Sequence, residues 1–462
     1  MLFSRLPLWA ITFGAGIANG IDLNPDDIDS IKSSASTVAA GMMSHYTGYR
    51  PGDNPGNLPP PYYWWEAGAM FGHLVEYWYY TGDDQYNAHT QQAITWQAGT
   101  DAEFMPPNQT LSEGNDDQIF WAFAAMSAAE LNFPAPEGNG PSYLTMAIAV
   151  YNLQSARWDN KTCGGGLRWQ ILSQNTGWDY KNAVANGGLF QLSARLARYT
   201  GEDKYANWAE KHWDWFSTSV LYEPSTHQIN DGTDVTANCT KSNPTQWSYN
   251  YGLWFTGLAY MYSATQDQKW LTELKAILNT YFTNFYPQAS GGKILVEIVC
   301  EPSGNCDTDN LCFKSFSMRW LALTAQLVPE LADQINPYLR ASGKAAAGQC
   351  SGGSDGNTCG MKWTQTAWDG STGVGQQMSA LAAIDANMLR LKKLNLPYTA
   401  KTGGTSKGDP SAGTETGPGN NIIDLIYTRK ITTADQAGAG ILTAMALAFT
   451  LGGGYWILGT SA

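Results

Sequence analysis

Six segments of this chain carry small and apolar residues at helical spacing, while strand patterns are sparse. Successive segments begin about 50 to 70 residues apart, which leaves room between them for a second helix and its loops. This recurrence limits the fold more than any other feature, because each helix pair has to bury its apolar face against the neighbouring pairs. The first helices of the pairs are predicted to begin near Trp65, Asp117, Asn182, Ser248, Ser315 and Gln376.

The two helices of each predicted pair differ in composition. The first helices are rich in Gly, Ala and Ser, as expected for helices packed on all sides, whereas second helices such as 205–219 and 270–285 carry more charge. A further amphipathic helix at 26–46 can pair with the sixth inner helix. The pattern therefore predicts an all-α fold, an (α/α)6 toroid of six inner and six outer helices. A helical solenoid is the alternative, but its repeats would be more regular and would not close.

In such a ring the inner helices run parallel, so their N-termini meet at one mouth. The residues that precede them are aromatic and acidic, which predicts a ligand cleft at that mouth. An isolated Trp-Asp pair is also common as a core residue followed by a helix cap. The segments concerned are 64–66, 115–117, 178–179, 246–250 and 368–369.

Two adjacent acids, Asp116 and Asp117, lie where an alanine-rich helix begins. Glycoside cleavage requires two carboxyl groups at one anomeric carbon, and a helix start can present both. Capping of the helix and favourable interaction with its dipole would equally explain acids here. If the pair is catalytic with retention of configuration, the carboxyls should lie about 5 to 5.5 Å apart, across the cap and the first turn.

Charge and composition exclude some ligand classes. The net charge of −13 argues against nucleic acid as a partner, because no basic patch would attract it. The 19 Trp and 24 Tyr residues offer flat faces suited to a neutral glycan, although many of them must be core. No metal site and no cofactor are predicted: Cys300, Cys306 and Cys312 are evenly spaced but lack an accompanying His.

Both ends of the chain resemble targeting segments. Residues 1–20 have the order of a secretory signal peptide, and 21–397 are predicted to be the catalytic domain. Residues 398–436 have the composition of a flexible stalk with a GPI-attachment region, and 437–462 form a hydrophobic tail typical of a GPI signal. A tail-anchored transmembrane helix is the alternative. The predicted product is secreted and held on the outer membrane leaflet. Its seven cysteines would lie in an oxidising compartment, with one thiol either free or paired outside the chain.

Several motifs of this chain resemble glycoside hydrolase family 76, and more closely its fungal GPI-anchored cell-wall group named "defective for filamentous growth". The resemblance covers about 21–397. Bacterial members usually have Thr and Gln where Ser248 and Tyr251 stand here. The motifs that carry the resemblance are Tyr-Tyr-Trp-Trp-Glu-Ala-Gly-Ala-Met-Phe at 62–71, Asn-Asp-Asp-Gln at 115–118, Tyr-Lys-Asn-Ala at 180–183 with Asn186, Asp-Gly at 231–232 and Trp-Ser-Tyr-Asn-Tyr-Gly at 247–252.

The resemblance implies an (α/α)6 fold, action on α-1,6-linked mannose and retention of the anomeric configuration. It implies that Asp116 is the nucleophile and Asp117 the general acid/base. For the fungal group it implies transfer, with the mannosyl core of a GPI anchor as donor and wall β-glucan as acceptor.

Around the pair we expect aromatic platforms for sugar rings and polar groups that bind hydroxyls. Two other functions remain open: an endo-α-1,6-mannanase that transfers to water, and a surface glycan-binding protein without catalysis. The predicted substrate-binding residues are Trp65, Trp121, Asp179, Asn182, Asp231, Tyr249, Asn250 and Trp368.

Overall fold

A computed structural model describes residues 20–99, 101–136, 138, 140–392, 394–414 and 433–459. The chain divides into two compact units, 1–415 and 416–462. The predicted signal peptide, apart from Gly20, lies outside the described residues, and so does most of the predicted GPI-attachment region.

Helices dominate the first unit and alternate along the chain between inner and outer positions. The predicted inner starts agree with the observed ones to within about two residues. In chain order the helices are α1 (Ile28–Met43), α2 (Trp64–Thr81), α3 (Asn87–Ala98), α4 (Asn115–Glu130), α5 (Tyr143–Ala156), α6 (Ala183–Thr200), α7 (Asp203–Thr218), α8 (Ser248–Thr265), α9 (Gln268–Phe285), α10 (Phe313–Leu327), α11 (Ala332–Gly348) and α12 (Val374–Leu391).

The even-numbered helices form a closed ring. Each of α2, α4, α6, α8 and α10 packs against the next even-numbered helix, and α12 packs against both α10 and α2. The odd-numbered helices lie outside, and α1 packs on α12 as predicted. The prediction of an (α/α)6 toroid is therefore confirmed, and closure of the ring excludes the open solenoid.

Glycine in the inner helices permits their close approach. A Cβ atom on Gly68 of α2 would lie 2.9 Å from the Trp121 ring of α4, and one on Gly252 of α8 would lie 2.6 Å from the Trp320 ring of α10. Both are closer than packed carbon atoms come, so these positions exclude any side chain. The small residues of the sequence pattern thus make room for large aromatic rings on the neighbouring helix.

Ion pairs are buried within the ring. Arg319 donates two hydrogen bonds of 2.7 Å to the carboxylate of Glu76, and Arg195 lies 2.6 Å from Glu130. Two-pronged geometry of this kind offsets much of the cost of removing both charges from water. These pairs link helices that are far apart in sequence.

The connections between helices contain short strands. The antiparallel sheet of β1 (Tyr180–Asn182), β4 (Gly232–Asp234) and β5 (Ser242–Asn243) pairs Asn182 with Gly232. This register brings Asp231 beside the start of α6, where Ala183 N donates to Asp231 O at 2.7 Å. Two further two-stranded sheets join β2 (Tyr222–Glu223) to β3 (Gln228–Ile229), and β6 (Cys350–Gly352) to β7 (Thr358–Cys359).

Three disulfides close loops of the first unit, and Cys312 is a free, buried thiol. The odd cysteine count is thereby accounted for, and Cys300 and Cys306 of the evenly spaced trio are joined to each other. The bonds are Cys163–Cys239, Cys300–Cys306 and Cys350–Cys359.

The segment 394–414 corrects the expectation that flexible chain begins at 398. Tyr398 N donates to Glu130 O at 2.7 Å, Ala400 N donates to Tyr199 O at 2.9 Å, and Asn152 Nδ2 donates to Ala412 O at 2.8 Å. A composition poor in large apolar residues does not prevent this segment from being held by hydrogen bonds to the outside of the ring. Packed chain therefore extends to the end of the described stretch at 414.

In the second unit the structure describes one helix, α13 (Thr433–Gly459). Among the described residues, no helix has both the length and the apolar character that crossing a membrane would require.

Candidate active site

The acid pair occupies the first turn of α4, where the backbone holds both carboxylates. Asp117 Oδ2 accepts a 2.6 Å hydrogen bond from Gly114 N, and Asp116 Oδ1 accepts one of 3.1 Å from Asp117 N. These bonds use amide groups that the helix start leaves without intrahelical partners. Asn115 N donates in turn to Trp169 O at 2.8 Å, which fixes this turn to the loop before β1.

Gly114 shows how close the two carboxyls are. A Cβ atom built on it would lie 2.3 Å from Asp116 Oδ1 and 3.3 Å from Asp117 Oδ2. These two oxygens are therefore at most about 6 Å apart, which is below the range of about 6.5 to 9.5 Å for inverting glycosidases. Gly114 is the cap, and Asp116 and Asp117 are the second and third residues of α4, so the expectation that the pair spans the cap and the first turn is wrong. Adjacent residues inside a helix point about 100° apart, and these carboxyls come together because both turn back toward Gly114.

Asp116 and Asp117 both face a cavity of about 230 Å³, here called cavity 1. Both side chains remain partly exposed to it. Aromatic rings and acidic groups make up most of its wall, a combination suited to a polyhydroxylated ligand. Its lining residues are Trp65, Asp116, Asp117, Phe120, Trp169, Tyr180, Asn182, Val184, Asp231, Tyr249, Asp309 and Phe313.

A second cavity of about 380 Å³, here called cavity 2, adjoins the first. Trp65, Asp117, Trp169 and Asp309 line both cavities, whereas Asp116 lines cavity 1. Asp117 therefore stands at the junction. The lining residues of cavity 2 are Tyr63, Trp64, Trp65, Gln109, Ser112, Glu113, Asp117, Trp169 and Asp309.

The electrostatics of the pair favour a shared proton. Burial, followed by the charge of Asp117, raises the pKa of Asp116 well above its usual value. Burial raises the pKa of Asp117 to about 7, against the lowering effect of the Gly114 N–H. Because the two titrations are coupled, the proton belongs to the pair rather than to one residue. Near neutral pH the pair can thus supply one carboxylic acid and one carboxylate.

Further acids surround the pair. Burial raises the pKa of Asp309 to about 6, although the Trp65 Nε1–H donates to its Oδ1 at 3.2 Å and lowers that pKa. Burial also raises the pKa of Asp231, whose Oδ2 accepts a 2.7 Å hydrogen bond from the Tyr180 hydroxyl. Negative charge near Asp117 favours its protonated form.

Four of the predicted binding residues lie in the wall of cavity 1. Trp65 and Tyr249 contribute rings, and Tyr249 stacks on Phe313 with centroids 3.9 Å apart. Asn182 caps α6, because its side-chain oxygen accepts a 3.2 Å hydrogen bond from Ala185 N. Asp231 directly precedes β4 and lines the same wall. The closed ring therefore brings these residues together with the acid pair, as the convergence of helix starts predicts.

Trp121 and Asp179 are placed elsewhere, which corrects two predictions. Trp121 is fully buried between α2 and α4, and its Nε1–H donates to Trp64 O at 3.2 Å. Asp179 is exposed and pairs with Arg168 at 3.1 Å. The Trp121 side chain belongs to the core, and the Asp179 side chain belongs to a surface ion pair. A Trp or an Asp near a helix start can take such a structural role instead of binding a ligand.

Asn250 and Trp368 also lie away from the two cavities. Asn250 is fully buried on α8, and neither atom of its side-chain amide has a hydrogen-bond partner among the described residues. Trp368 packs its ring against Gly352 of β6 and donates its Nε1–H to Ser371 O at 2.8 Å. Asn250 lies in the first turn of α8 and Trp368 precedes α12, but neither side chain lines the two cavities.

Sequence reasoning missed Trp169, Asp309 and Tyr180 as residues of the cleft. Trp169 and Asp309 lie in loops whose course the sequence does not reveal. Asp309 does precede the fifth inner helix, so the rule that acids gather before inner helices could have found it. In the parts of the chain that the structure describes, no group of His, Cys, Asp and Glu side chains has the arrangement of a metal site.

A family model described as glycosyl hydrolase family 76 matches residues 30–401. The chain belongs to this family. It is 44% identical over 439 residues to the mannan endo-1,6-alpha-mannosidase DCW1 of Saccharomyces cerevisiae, covering 95% of each chain. Among solved structures it is similar to Dfg5 of Chaetomium thermophilum in complex with glucosamine, with 41% identity, a TM-score of 0.82, and 87% of this chain and 99% of that chain covered.

A bacterial member supports the fold of this family 76 chain. It is an inactive variant of the α-1,6-mannanase GH76A of Salegentibacter sp., in which two consecutive aspartates are replaced by asparagine, in complex with α-1,6-mannotriose. The two chains are 16% identical with a TM-score of 0.62, and the match covers 78% of this chain and 99% of the other.

Proposed function

We propose that this family 76 chain cleaves α-1,6-mannosidic bonds with retention of configuration, through a covalent mannosyl intermediate. The observation that carries the proposal is the position of the pair: Asp116 faces cavity 1, and Asp117 stands where cavities 1 and 2 meet. A bond cleaved at this junction would leave the glycone in cavity 1 and the leaving group in cavity 2. Relatives with more than 40% identity that are named mannan endo-1,6-alpha-mannosidases support the choice of linkage.

In the first step the Asp116 carboxylate attacks the anomeric carbon in cavity 1, and the bond from that carbon to the leaving oxygen breaks. Asp117 gives its proton to that oxygen, because it is the member of the pair that also lines cavity 2, where the leaving group lies. With Asp116 ionised for attack, the shared proton is on Asp117, whose raised pKa of about 7 keeps it available near neutral pH. In the second step Asp117, now a carboxylate, takes a proton from an incoming hydroxyl in cavity 2. That oxygen displaces Asp116 from the anomeric carbon and restores the original configuration.

We further propose that the incoming hydroxyl belongs to a sugar, so that the enzyme is a transglycosidase of the fungal cell wall. The donor would be the mannosyl core of a GPI anchor and the acceptor wall β-glucan. Cavity 2 is lined by Glu113, Asp117 and Asp309, and Lys and Arg are absent from its lining residues. Burial raises the pKa of Glu113 well above its usual value, and Asp117 is the acid, so Asp309, with a pKa of about 6, is the carboxylate that can pair with a cationic amino sugar near neutral pH. A relative has been crystallised with glucosamine.

The location follows from the same proposal. A secreted chain held by a GPI lipid on the outer membrane leaflet would meet both glycans. The composition of 1–20 and 437–462 supports this location. Detection of the mature protein in the phosphatidylinositol-specific phospholipase C-releasable fraction would test it. A mature protein that never enters that fraction would contradict it.

The activity is tested with α-1,6-mannotetraose and with a mannosyl GPI glycan, each with and without β-1,3-glucan oligosaccharides. Proton NMR of the first product should show the α anomer, and mass spectrometry should show mannosyl-glucan adducts. Asp116→Asn should abolish the covalent intermediate. Asp117→Asn should lower kcat/KM by about 10² to 10⁴-fold on oligosaccharides and much less on a mannosyl fluoride, whose leaving group needs no acid.

Asp179→Asn is the matched control, since it removes a carboxylate from an exposed ion pair. First product of β configuration would contradict the double displacement. Release of free sugar alone, even with acceptor present, would favour an endo-mannanase. Binding without any product would favour a non-catalytic glycan-binding protein.

A further inference from the structure

Trp169 touches the acid pair through both its backbone and its side chain. Its carbonyl accepts a 2.8 Å hydrogen bond from Asn115 N, and its own N–H donates to Tyr180 O at 2.7 Å. Its indole lies beside Asp116 in the wall of cavity 1, where it lowers the pKa of that carboxyl group. The loop that carries Trp169 is thus tied to the first turn of α4 on one side and to β1 on the other.

Trp169 also borders both cavities, together with Trp65, Asp117 and Asp309. Its ring packs closely on Gly177, where a Cβ atom would come within 2.3 Å of the indole. The ring is therefore held from behind.

An indole N–H can donate a hydrogen bond but can neither accept one nor give up its proton. It therefore pairs best with the ionised form of a carboxyl group, which accepts hydrogen bonds on both oxygens. For Asp116 this works against burial and the charge of Asp117, both of which favour the protonated form. A nucleophile has to be the carboxylate, so this donor favours the form of Asp116 that can attack.

We propose that Trp169 is the positioning residue of the nucleophile: its N–H holds Asp116 ionised and aimed into cavity 1, and so decides which of the two aspartates attacks. This inference rests on the double displacement proposed above. It assigns Trp169 a role that a passive aromatic wall would not have.

The test compares three single N–H deletions. Trp169→Phe removes the donor to Asp116 and keeps a ring, and Trp65→Phe removes the donor to Asp309 in the same cleft. Trp368→Phe removes a donor to a backbone carbonyl outside the cleft and is the matched control. The substrate is α-1,6-mannobiosyl fluoride, because its kcat/KM reports formation of the covalent intermediate without demanding a general acid.

Trp169→Phe should lower kcat/KM about 10- to 100-fold, the loss expected for a hydrogen bond to a charged group. It should also move the acidic limb of the pH profile upward by about one pH unit or more, because loss of the donor raises the pKa of Asp116. Trp65→Phe should leave that limb in place, and Trp368→Phe should match the unaltered protein in both measurements. The other titratable groups facing Asp116 are unchanged in all three variants, namely Asp117, Tyr180, Asp231, Tyr249 and Asp309.

An unshifted acidic limb in Trp169→Phe, or a loss confined to KM, would overturn the inference and leave Trp169 as a wall. If Trp169→Phe loses the native melting transition, the acidic limbs of Trp169→Gln and Trp169→Met are compared instead. The two new side chains are similar in size, but only that of Gln carries N–H donors. Equal acidic limbs in that pair would overturn the inference. Absence of fluoride release from the unaltered protein would instead refute the proposed reaction, which separates the two failures.

Discussion

Gly114→Ala should inactivate the enzyme while leaving its fold intact. The glycine has φ −90° and ψ 166°, an extended conformation that alanine adopts without strain. There is no room for a side chain at this position, because the new methyl group would lie 2.3 Å from Asp116 Oδ1 and 3.3 Å from Asp117 Oδ2.

Since Cβ atoms essentially never approach another atom closer than 3.0 Å, Asp116 Oδ1 must move by at least about 0.7 Å. A misplacement of about 1 Å at a reacting group costs on the order of 10²-fold in rate. We therefore expect kcat on α-1,6-mannotetraose to fall about 100-fold, equivalent to about 2.7 kcal/mol of transition-state free energy. The free energy of unfolding should change by about 1 kcal/mol or less, because the displaced side chain borders an open cavity.

The assay pairs steady-state kinetics with urea unfolding followed by circular dichroism. Gly140→Ala is the control, since a Cβ atom there meets no atom within 4 Å. A Gly114→Ala enzyme that retains kcat within about threefold would refute the reasoning, because the carboxylate would then tolerate displacement. If the free energy of unfolding falls by as much as the transition-state free energy rises, the loss of activity would indicate a folding defect instead.

Three further outcomes are expected. Asp309→Asn should move the alkaline limb of kcat/KM to lower pH, because the charge of Asp309 raises the pKa of Asp117 and its removal lets the acid lose its proton earlier. Arg319→Met should lower the free energy of unfolding by about 3 to 5 kcal/mol in urea titrations, since it leaves Glu76 charged and buried. Cys163→Ser should cost about 4 kcal/mol in the same titrations, because its disulfide closes a loop with a sequence separation of 76 residues.

Matched variants separate these effects from general damage. Asp179→Asn should leave the pH profile in place, and Arg340→Met, at an exposed pair, should cost about 1 kcal/mol or less. Cys300→Ser should cost only about 2 kcal/mol, because its loop has a sequence separation of 6 residues. An alkaline limb that moves upward in Asp309→Asn, or equal costs within either stability comparison, would contradict the corresponding argument.

Helix pairs were predictable because their signals are local. Small residues at helical spacing mark the inner helices, and the acid pair stands out at the start of one of them. Trp121 and Trp368 show the limit of that reasoning. A tryptophan near a helix start can turn toward the mouth, into the core or onto a hairpin, and the choice depends on neighbours distant in sequence.

The segment 398–414 shows the same limit for composition. Gly, Ser, Thr and Pro disfavour a buried core, and from that alone flexible chain is the natural expectation. The segment is nevertheless fixed by hydrogen bonds from its backbone to backbone and side-chain groups of the helices, a partner surface that composition does not describe.

The sequence by itself determined the six helix pairs and the neighbouring carboxyls, because periodicity and adjacency are properties of short stretches of chain. Only the tertiary structure decided which groups surround those carboxyls. Trp169, Asp231 and Asp309 come from separate loops and meet at the mouth when the ring closes. Burial and charge at that meeting place then set the protonation of the pair, since both depend on the assembled surroundings rather than on the residues alone.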